Sequence, residues 1–257
     1  PFLPFKGMII REIKYEKLDV FGPSIPDTSA KARSWLGETA NKVHIKTRTY
    51  VLKNNLLFKK NDVLNPLIIG NSERELRSLH FIEDAKIIVK QVAKDSVDVY
   101  IVSKDLFPYG IDGKVYGFNR ADLRLWNDNF IGLGHSITNS ISILPGNAPL
   151  LRYDYGAYGV ENINGSFIRG RLYFNRDDMR KEYGVRLIRR LIPYAIKYGG
   201  GLDLYHREIE REINVGDTTI NMRVKFDHQD YYISRSFKVS SHTGKDYSNP
   251  FITLSSR

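Results

Sequence analysis

After Lys104 helical periodicity disappears from the chain, and strict alternation replaces it. Ile137, Ile141 and Ile143 alternate with Ser136, Thr138, Ser140 and Ser142. Leu151, Tyr153, Tyr155 and Ala157 alternate with Arg152, Asp154 and Gly156, and Ile168, Gly170, Leu172 and Phe174 with Arg169, Arg171 and Tyr173. Successive side chains of a strand point to opposite faces, so short alternating runs broken by turn residues predict an all-β antiparallel sheet or barrel over residues 105–257. One apolar face opposite one polar face fits a membrane barrel with a wet lumen. It fits a soluble sheet with one solvated side equally well, and periodicity alone does not choose.

Composition narrows the classes. No run approaches eighteen apolar residues, so no membrane-spanning helix is expected, which leaves barrel strands open. Sixteen tyrosines and thirteen phenylalanines suit strand-rich and membrane-interface proteins. The absence of cysteine excludes disulfides, thiol chemistry and cysteine-ligated metals. A net charge of +10 is compatible with nucleic acid, anionic lipid or a solvated surface. Recognition of single-stranded nucleic acid needs aromatics interleaved with arginines on one face. Arg169, Arg171 and Tyr173 meet that only weakly, and no nucleic-acid partner is expected. The numbering opens at Pro1 without methionine or signal peptide, which reads as a processed or trimmed form.

The first 104 residues follow other periods. Met8 to Val20 reads as a strand, followed by a loop broken by Pro23 and Pro26. Ala32, Trp35, Leu36, Thr39 and Val43 fit one helical stripe, which predicts a helix with Trp35 in the core. A second helix is expected from about Thr47 to Asn54. The chain then turns at Lys59-Lys60-Asn61-Asp62, where Asn61 tolerates a left-handed backbone. Asn65-Pro66 opens a third helix, an N-cap residue followed by proline at the first helical position. Leu76 and Leu79 share its inner face; His80-Phe81-Ile82 ends it and launches a strand carrying Ala85, Ile87 and Val89. A further strand follows with Val97, Val99 and Ile101 on one face. The expected core includes Leu57, Phe58, Leu76, Leu79 and Phe81.

Helix, "LLFKKND", helix ending in phenylalanine and then a two-strand hairpin resembles a POTRA domain of the BamA-like and TamA-like outer-membrane insertases, with Asn61 where glycine is usual. "LRSLHFIEDAKIIV" resembles the second helix and edge strand of that domain. Three later stretches are similar to successive barrel elements of the family: "WNDNFIGLGHSI", "YGVENINGSFIRGRLYFNRD" and "EYGVRLIRRLIPYAIKYGGGLDLYHRE". The resemblance implies an α+β POTRA domain over 1–104, βααββ with an extra helix, followed by all-β antiparallel transmembrane barrel strands over 105–257. It further implies a bacterial outer-membrane protein, its POTRA-like domain in the periplasm, that assembles, inserts or translocates client proteins. The implied partners are unfolded outer-membrane protein clients, other subunits of an outer-membrane assembly or export complex, and outer-membrane lipid. Clients would pair with an edge strand at Ile82, Ala85, Ile87 and Val89. A lateral seam would lie at Leu106, Phe107 and Tyr109, with Pro108 weakening that strand. The alternative is a POTRA-barrel scaffold that docks a partner complex without insertase activity.

As an enzyme the chain offers nothing: no catalytic residue, cofactor or metal site is expected. His206, Glu208 and Glu210 would share one strand face, but they read as a charged strand end entering an exposed loop from Arg211 to Thr219. Gly199-Gly200-Gly201 precedes a strand and not a helix, so it is no phosphate loop. In the barrel reading Ile141, Ile143, Leu151, Tyr153, Ile168, Leu172 and Phe174 face lipid, and Arg152, Asp154, Arg169 and Arg171 face the lumen. About eight or nine strands can be placed after Leu106, fewer than a BamA-like barrel has. The barrel is therefore expected to continue beyond these residues, the alternative being a small closed barrel with Val239 paired back to Leu106.

Overall fold

A computed structural model describes residues 1–256 except 33, 147–148, 193–194, 216–217 and 239–250. The elements run β1 (Ile9–Leu18), α1 (Trp35–Val43), α2 (Thr49–Asn54), α3 (Pro66–Arg77), β2 (Ile82–Ala93) and β3 (Ser96–Asp105). Then come β4 (Tyr109–Tyr116), β5 (Arg120–Asn127), β6 (His135–Ile143), β7 (Leu151–Val160), β8 (Ile168–Arg176), β9 (Arg180–Arg189), β10 (Tyr198–Val215), β11 (Thr218–Lys238) and β12 (Phe251–Ser256).

The first six elements build a three-stranded sheet in the order β1-β3-β2, with β1 parallel and β2 antiparallel to β3. The core lies between this sheet and the helices, and holds Ile10, Leu52, Leu64, Ile69, Leu76, Phe81, Val97, Val99 and Ile101. The Asn65 side chain caps α3 by accepting from the Leu67 N–H at 3.0 Å. Asn61 takes the left-handed turn at φ 71°. Leu76, Leu79, Phe58 and Phe81 are buried. Leu57 is only half-buried; chain alternation turns Leu56 and Phe58 inward instead. Leu57 lines a groove of about 960 Å³ with Tyr15, Ile68, Phe167 and Ile196.

The expectation for Trp35 fails. The α1 stripe of Trp35, Leu36 and Val43 is exposed, and Gly37 is the residue the helix buries. Helical periodicity reports that a stripe exists; it does not report which way the tertiary structure turns it.

The remaining strands form one nine-stranded antiparallel sheet in chain order from β4 to β12. Among the described residues β4 pairs only with β5 and β12 only with β11, so no closed barrel is present. Val239 lies outside the described residues. The stretch Arg211 to Val215, expected as loop, continues β10.

Register fixes the two faces. Asp122, Ser142 and Arg152 lie opposite one another in adjacent strands, as do Ala157, Tyr173, Gly184 and Tyr205. This face also carries Arg169, Arg171, Arg186, Asp203 and Arg207. The opposite face carries Leu125, Ile137, Ile141, Tyr153, Tyr158, Leu172, Phe174, Val185 and Leu204. One detail departs from simple alternation. A register shift between Ser140 and Ile141 leaves Asp154 bulged, so that Tyr155 and Ala157 move to the polar face and Gly156 and Tyr158 take the apolar one. The Asp154 carboxylate still turns to the polar face, where the Ser142 hydroxyl and the Arg152 guanidinium donate to it.

Candidate functional site

Among the described residues the expected candidates for chemistry are paired off as charges. His206, Glu208 and Glu210 do share a face, but each faces an opposite charge across the β10–β11 ladder: Asp227 at 2.8 Å, Lys225 at 2.8 Å, and Arg223. Among the described residues no group of three or more His, Asp or Glu is placed to hold a metal. What the fold offers instead is two strand edges and the joint between the two sheets.

The first edge is β2. Ile82, Ala85 and Ile87 have their side chains buried against the helices, with Val89 partly so. They can offer a partner only their backbone. The Ile87 N–H points away from β3 and donates to Glu73 Oε2 at 2.8 Å, which by alternation turns the N–H groups of Ala85, Val89 and Gln91 outward as well. Asp84 Oδ1 accepts from Ala85 at 2.8 Å. The two carboxylates thus cover the start of the edge, leaving its open part at Val89 and Gln91.

The second edge is β4, at the end of the large sheet. Of the expected seam residues only Tyr109 lies in the strand. Leu106 and Phe107 precede it: Leu106 N–H donates to Phe81 O at 2.9 Å, and the Phe107 ring packs at an angle between Phe21 at 5.8 Å and Tyr109 at 5.4 Å. Pro108 sits in this link and not in the strand, its carbonyl accepting from Asp128 N–H at 2.9 Å.

The joint rests on two turns of the same construction, a repeat that is not apparent from either stretch read alone. In Asn129-Phe-Ile-Gly-Leu-Gly and Asn162-Ile-Asn-Gly-Ser-Phe, positive φ recurs two, three and five residues after the asparagine. Each asparagine Oδ1 accepts from the N–H five residues on, Gly134 at 2.8 Å and Phe167 at 2.7 Å. Each amide then donates into the αβ unit: Asn129 to Thr47 Oγ1 at 2.8 Å, Asn162 to the Asn54 carbonyl at 3.0 Å. Gly134 must be glycine, since φ is +68° and a Cβ would lie 2.9 Å from the Phe81 ring. The shared Asn-x-x-Gly spacing was the available signal.

Ion pairs brace the same joint. His80 reaches Glu161 at 3.1 Å and the Asp128 carbonyl at 3.1 Å; Arg169 pairs with Glu161 at 2.5 Å and Arg190 with Glu75 at 3.2 Å. Arg169 thus reaches back to the joint, whereas Arg171 donates to the Tyr155 hydroxyl across the sheet. Burial opposes charge on His80, but the hydrogen bond and charge of Glu161, with Asp128, outweigh it and raise the imidazole pKa. Burial likewise opposes charge on Glu161, and His80 and Arg169 outweigh it, lowering the carboxyl pKa. The His80 contribution is complete below the imidazole's unfolded pKa and is lost as pH rises through its raised folded value. The Glu161 contribution is present above the carboxyl's unfolded pKa and is lost as pH falls through its lowered folded value. The joint is therefore tightest between the two unfolded values, where both contributions are complete, and loosens as pH passes either folded value. NMR titration of His80 should show the raised pKa, and Glu161→Gln should bring it down; an unchanged titration in that variant means that Glu161 is not the partner.

No family model and no curated protein matches the chain. Among solved structures it is similar to BamA from Haemophilus ducreyi lacking POTRA domains 1–3, with TM-score 0.43 and 15% identity over 96% of this chain and 47% of that one. It is also similar to CdiB from Acinetobacter baumannii, with TM-score 0.40 and 11% identity over 90% of this chain and 42% of the other. The chain spans under half the length of either.

Proposed function

We propose that the chain is a POTRA-like unit and the first strands of an outer-membrane barrel, and that it acts on client proteins by pairing them to an open strand edge. The observation that carries this is the large sheet itself. It has one apolar and one polar face across successive strands, and its first strand is unpaired on one side and joined directly to the αβ unit. An unpaired edge in hydrocarbon is costly to leave open, so β4 favours any incoming strand that satisfies its backbone.

Charge supports placing the apolar face in lipid. In register across β8 to β11 lie Arg176, Lys181, Glu208 and Lys225, all on the apolar side at the end far from the αβ unit. Below that row come Phe174 and Tyr183 on β8 and β9, continued on β10 and β11 by the His206–Asp227 pair, then Leu172, Val185, Leu204 and Gln229. Beyond it the polarity of the β10–β11 hairpin inverts: Glu210 and Arg223 point to the formerly apolar side, and Ile209, Met222 and Val224 to the other. On β8 and β9 the belt ends in aromatics and then a charged row, which is what a bilayer boundary selects. The strand length agrees, since β8 has nine residues and β9 ten, against the ~9–11 a tilted strand needs. The αβ unit then lies on the periplasmic side, with the open part of the β2 edge at Val89 and Gln91 available to clients or partner subunits.

Depletion of the protein followed by a census of outer-membrane proteins tests the reading. Loss of several barrel proteins, together with cross-links from a photoreactive residue at Ile111 to those same proteins, is the expected result. An unchanged census with cross-links to one constant partner would mean a docking scaffold without insertase activity.

A further inference from the structure

The groove lined by Leu57 runs along the outer side of β1. The order β1-β3-β2 leaves that side without a neighbouring strand. Near its start the edge is closed: Ile10 N–H donates to the Asp62 carbonyl at 3.0 Å, and Asn61 N–H to the Ile10 carbonyl at 2.8 Å. Near its end the Lys17 carbonyl accepts from Lys46 Nζ at 3.0 Å, pointing away from β3. Backbone direction repeats every second residue, and the β1–β3 register is unbroken from Glu12 to Leu18. Ile13 and Tyr15 therefore point their N–H and C=O groups the same way as Lys17. Between the two closures these four groups meet no hydrogen-bond partner among the described residues.

The groove that this open edge enters is about 960 Å³, the size of a large ligand site. Its bed is apolar, with Leu57, Phe58 and Ile68 from the αβ unit and Phe167 and Ile196 from the side of the large sheet. Phe167 stands at φ 60°, a costly backbone for an aromatic residue, and Asn162 Oδ1 holds it there by accepting its N–H. The rim is basic. Lys53, Lys59, Lys60 and Arg189 line it, none of them ion-paired among the described residues, and Arg189 Nε is buried without an acceptor. The one acid of the lining, Glu12, already pairs with Lys14 at 3.3 Å.

We propose that this groove docks an extended segment of a partner protein, apolar at its centre and acidic at its flanks, which adds as a strand to β1 at Ile13 and Tyr15. Charge complementarity selects an acidic occupant, since the rim carries four unpaired cations and its only carboxylate is already matched. The edge selects a polypeptide. Only an extended chain offers N–H and C=O groups at the spacing that Ile13 and Tyr15 present, and its inward side chains then meet the apolar bed. An anionic lipid headgroup or a free phosphate would meet the cations and leave the edge open. The bed is built from both units, so a bound segment fastens the αβ unit to the large sheet beside the Asn162 turn. Docking here needs neither lipid on the apolar face of the large sheet nor pairing at β4.

The probe is a fluorescein-labelled peptide, Asp-Glu-Ile-Thr-Phe-Thr-Val-Glu-Asp, read by anisotropy with the full chain in a non-ionic detergent. A second peptide of the same sequence is N-methylated at its three apolar residues and cannot donate to the edge. The variant is Lys59→Glu with Lys60→Glu, two exposed positions whose exchange should leave the thermal midpoint unchanged. The expected result is saturable binding of the first peptide, weakened about tenfold or more by N-methylation and by the double variant alike. Equal binding of the N-methylated peptide would mean attraction by charge alone, and equal binding by the double variant would put the peptide elsewhere. Either overturns the docking site, as does no binding at all. Short-chain phosphatidylglycerol is the remaining arm: if it shields Lys59 and Lys60 from acetylation and the peptide does not, the groove takes a headgroup and the docking site is wrong. Peptide binding of the expected kind with an unchanged outer-membrane census would keep the docking site and discard the insertase reading.

Discussion

Phe81→Ala should destabilise the αβ unit by about 3–5 kcal/mol, the range for truncating a fully enclosed aromatic. Phe81 is 0% exposed and is the largest fully buried side chain among the described residues. It follows α3 and precedes β2, so its ring fills the core at the point where helix hands over to strand. The cavity cannot collapse easily, because three separate elements meet there: the sheet, α2 through Val51, and the turn at Gly134, where an added Cβ would stand 2.9 Å from the Phe81 ring and 3.0 Å from Val51. A second effect should accompany the first. The Phe81 carbonyl holds the link to β4 through Leu106, and the ring supports the Asn129 turn, so the joint should loosen along with the core. Denaturation of the full chain, compared with Phe81→Leu, measures the cost. A loss below about 1 kcal/mol would mean that the residue is not enclosed.

How much of this is legible without coordinates depends on whether the signal is local. The α3 cap at Asn65-Pro66, the left-handed Asn61 and the burial of Leu76, Leu79 and Phe81 follow from short-range rules, and each residue carries its own signal. Face assignment along β8 is legible for the same reason, since alternation from Ile168 to Phe174 is uninterrupted. It fails after Asp154, because a bulge adds one residue without any composition mark and exchanges the faces of Tyr155 and Ala157. It fails at Trp35 for another reason. A stripe on a helix constrains only that helix, and whether it turns inward depends on what Gly37 and Asn41 find to hold. The seam expected at Leu106 and Phe107 falls ahead of the strand, because apolar residues in a link look like apolar residues in a strand. The Asn129 and Asn162 turns are visible as letters, but their shared role in docking the αβ unit requires a three-dimensional partner, Thr47 or Asn54, far away in sequence.

Leu172→Arg should be the most damaging single change on the large sheet, costing about 2–4 kcal/mol if its site lies near the bilayer midplane. Leu172 is the central residue of β8, between Tyr158 and Val185 in register, and is 55% exposed in the chain alone. A soluble sheet would accept arginine there at almost no cost, because an exposed site in water charges nothing for a solvated guanidinium. The neighbouring substitution supplies the contrast. Arg171 is on the opposite face and touches the Tyr155 hydroxyl from an exposed position, so Arg171→Leu should cost about 1 kcal/mol or less. Folding into vesicles, titrated with urea for both variants against the parent chain, separates the possibilities by sign and size. A large loss for Leu172→Arg with a small one for Arg171→Leu places the apolar face in lipid. The reverse ordering would mean that the faces are exchanged, as one residue of register error would do. Two small losses would place both faces in water and remove the membrane from the account altogether.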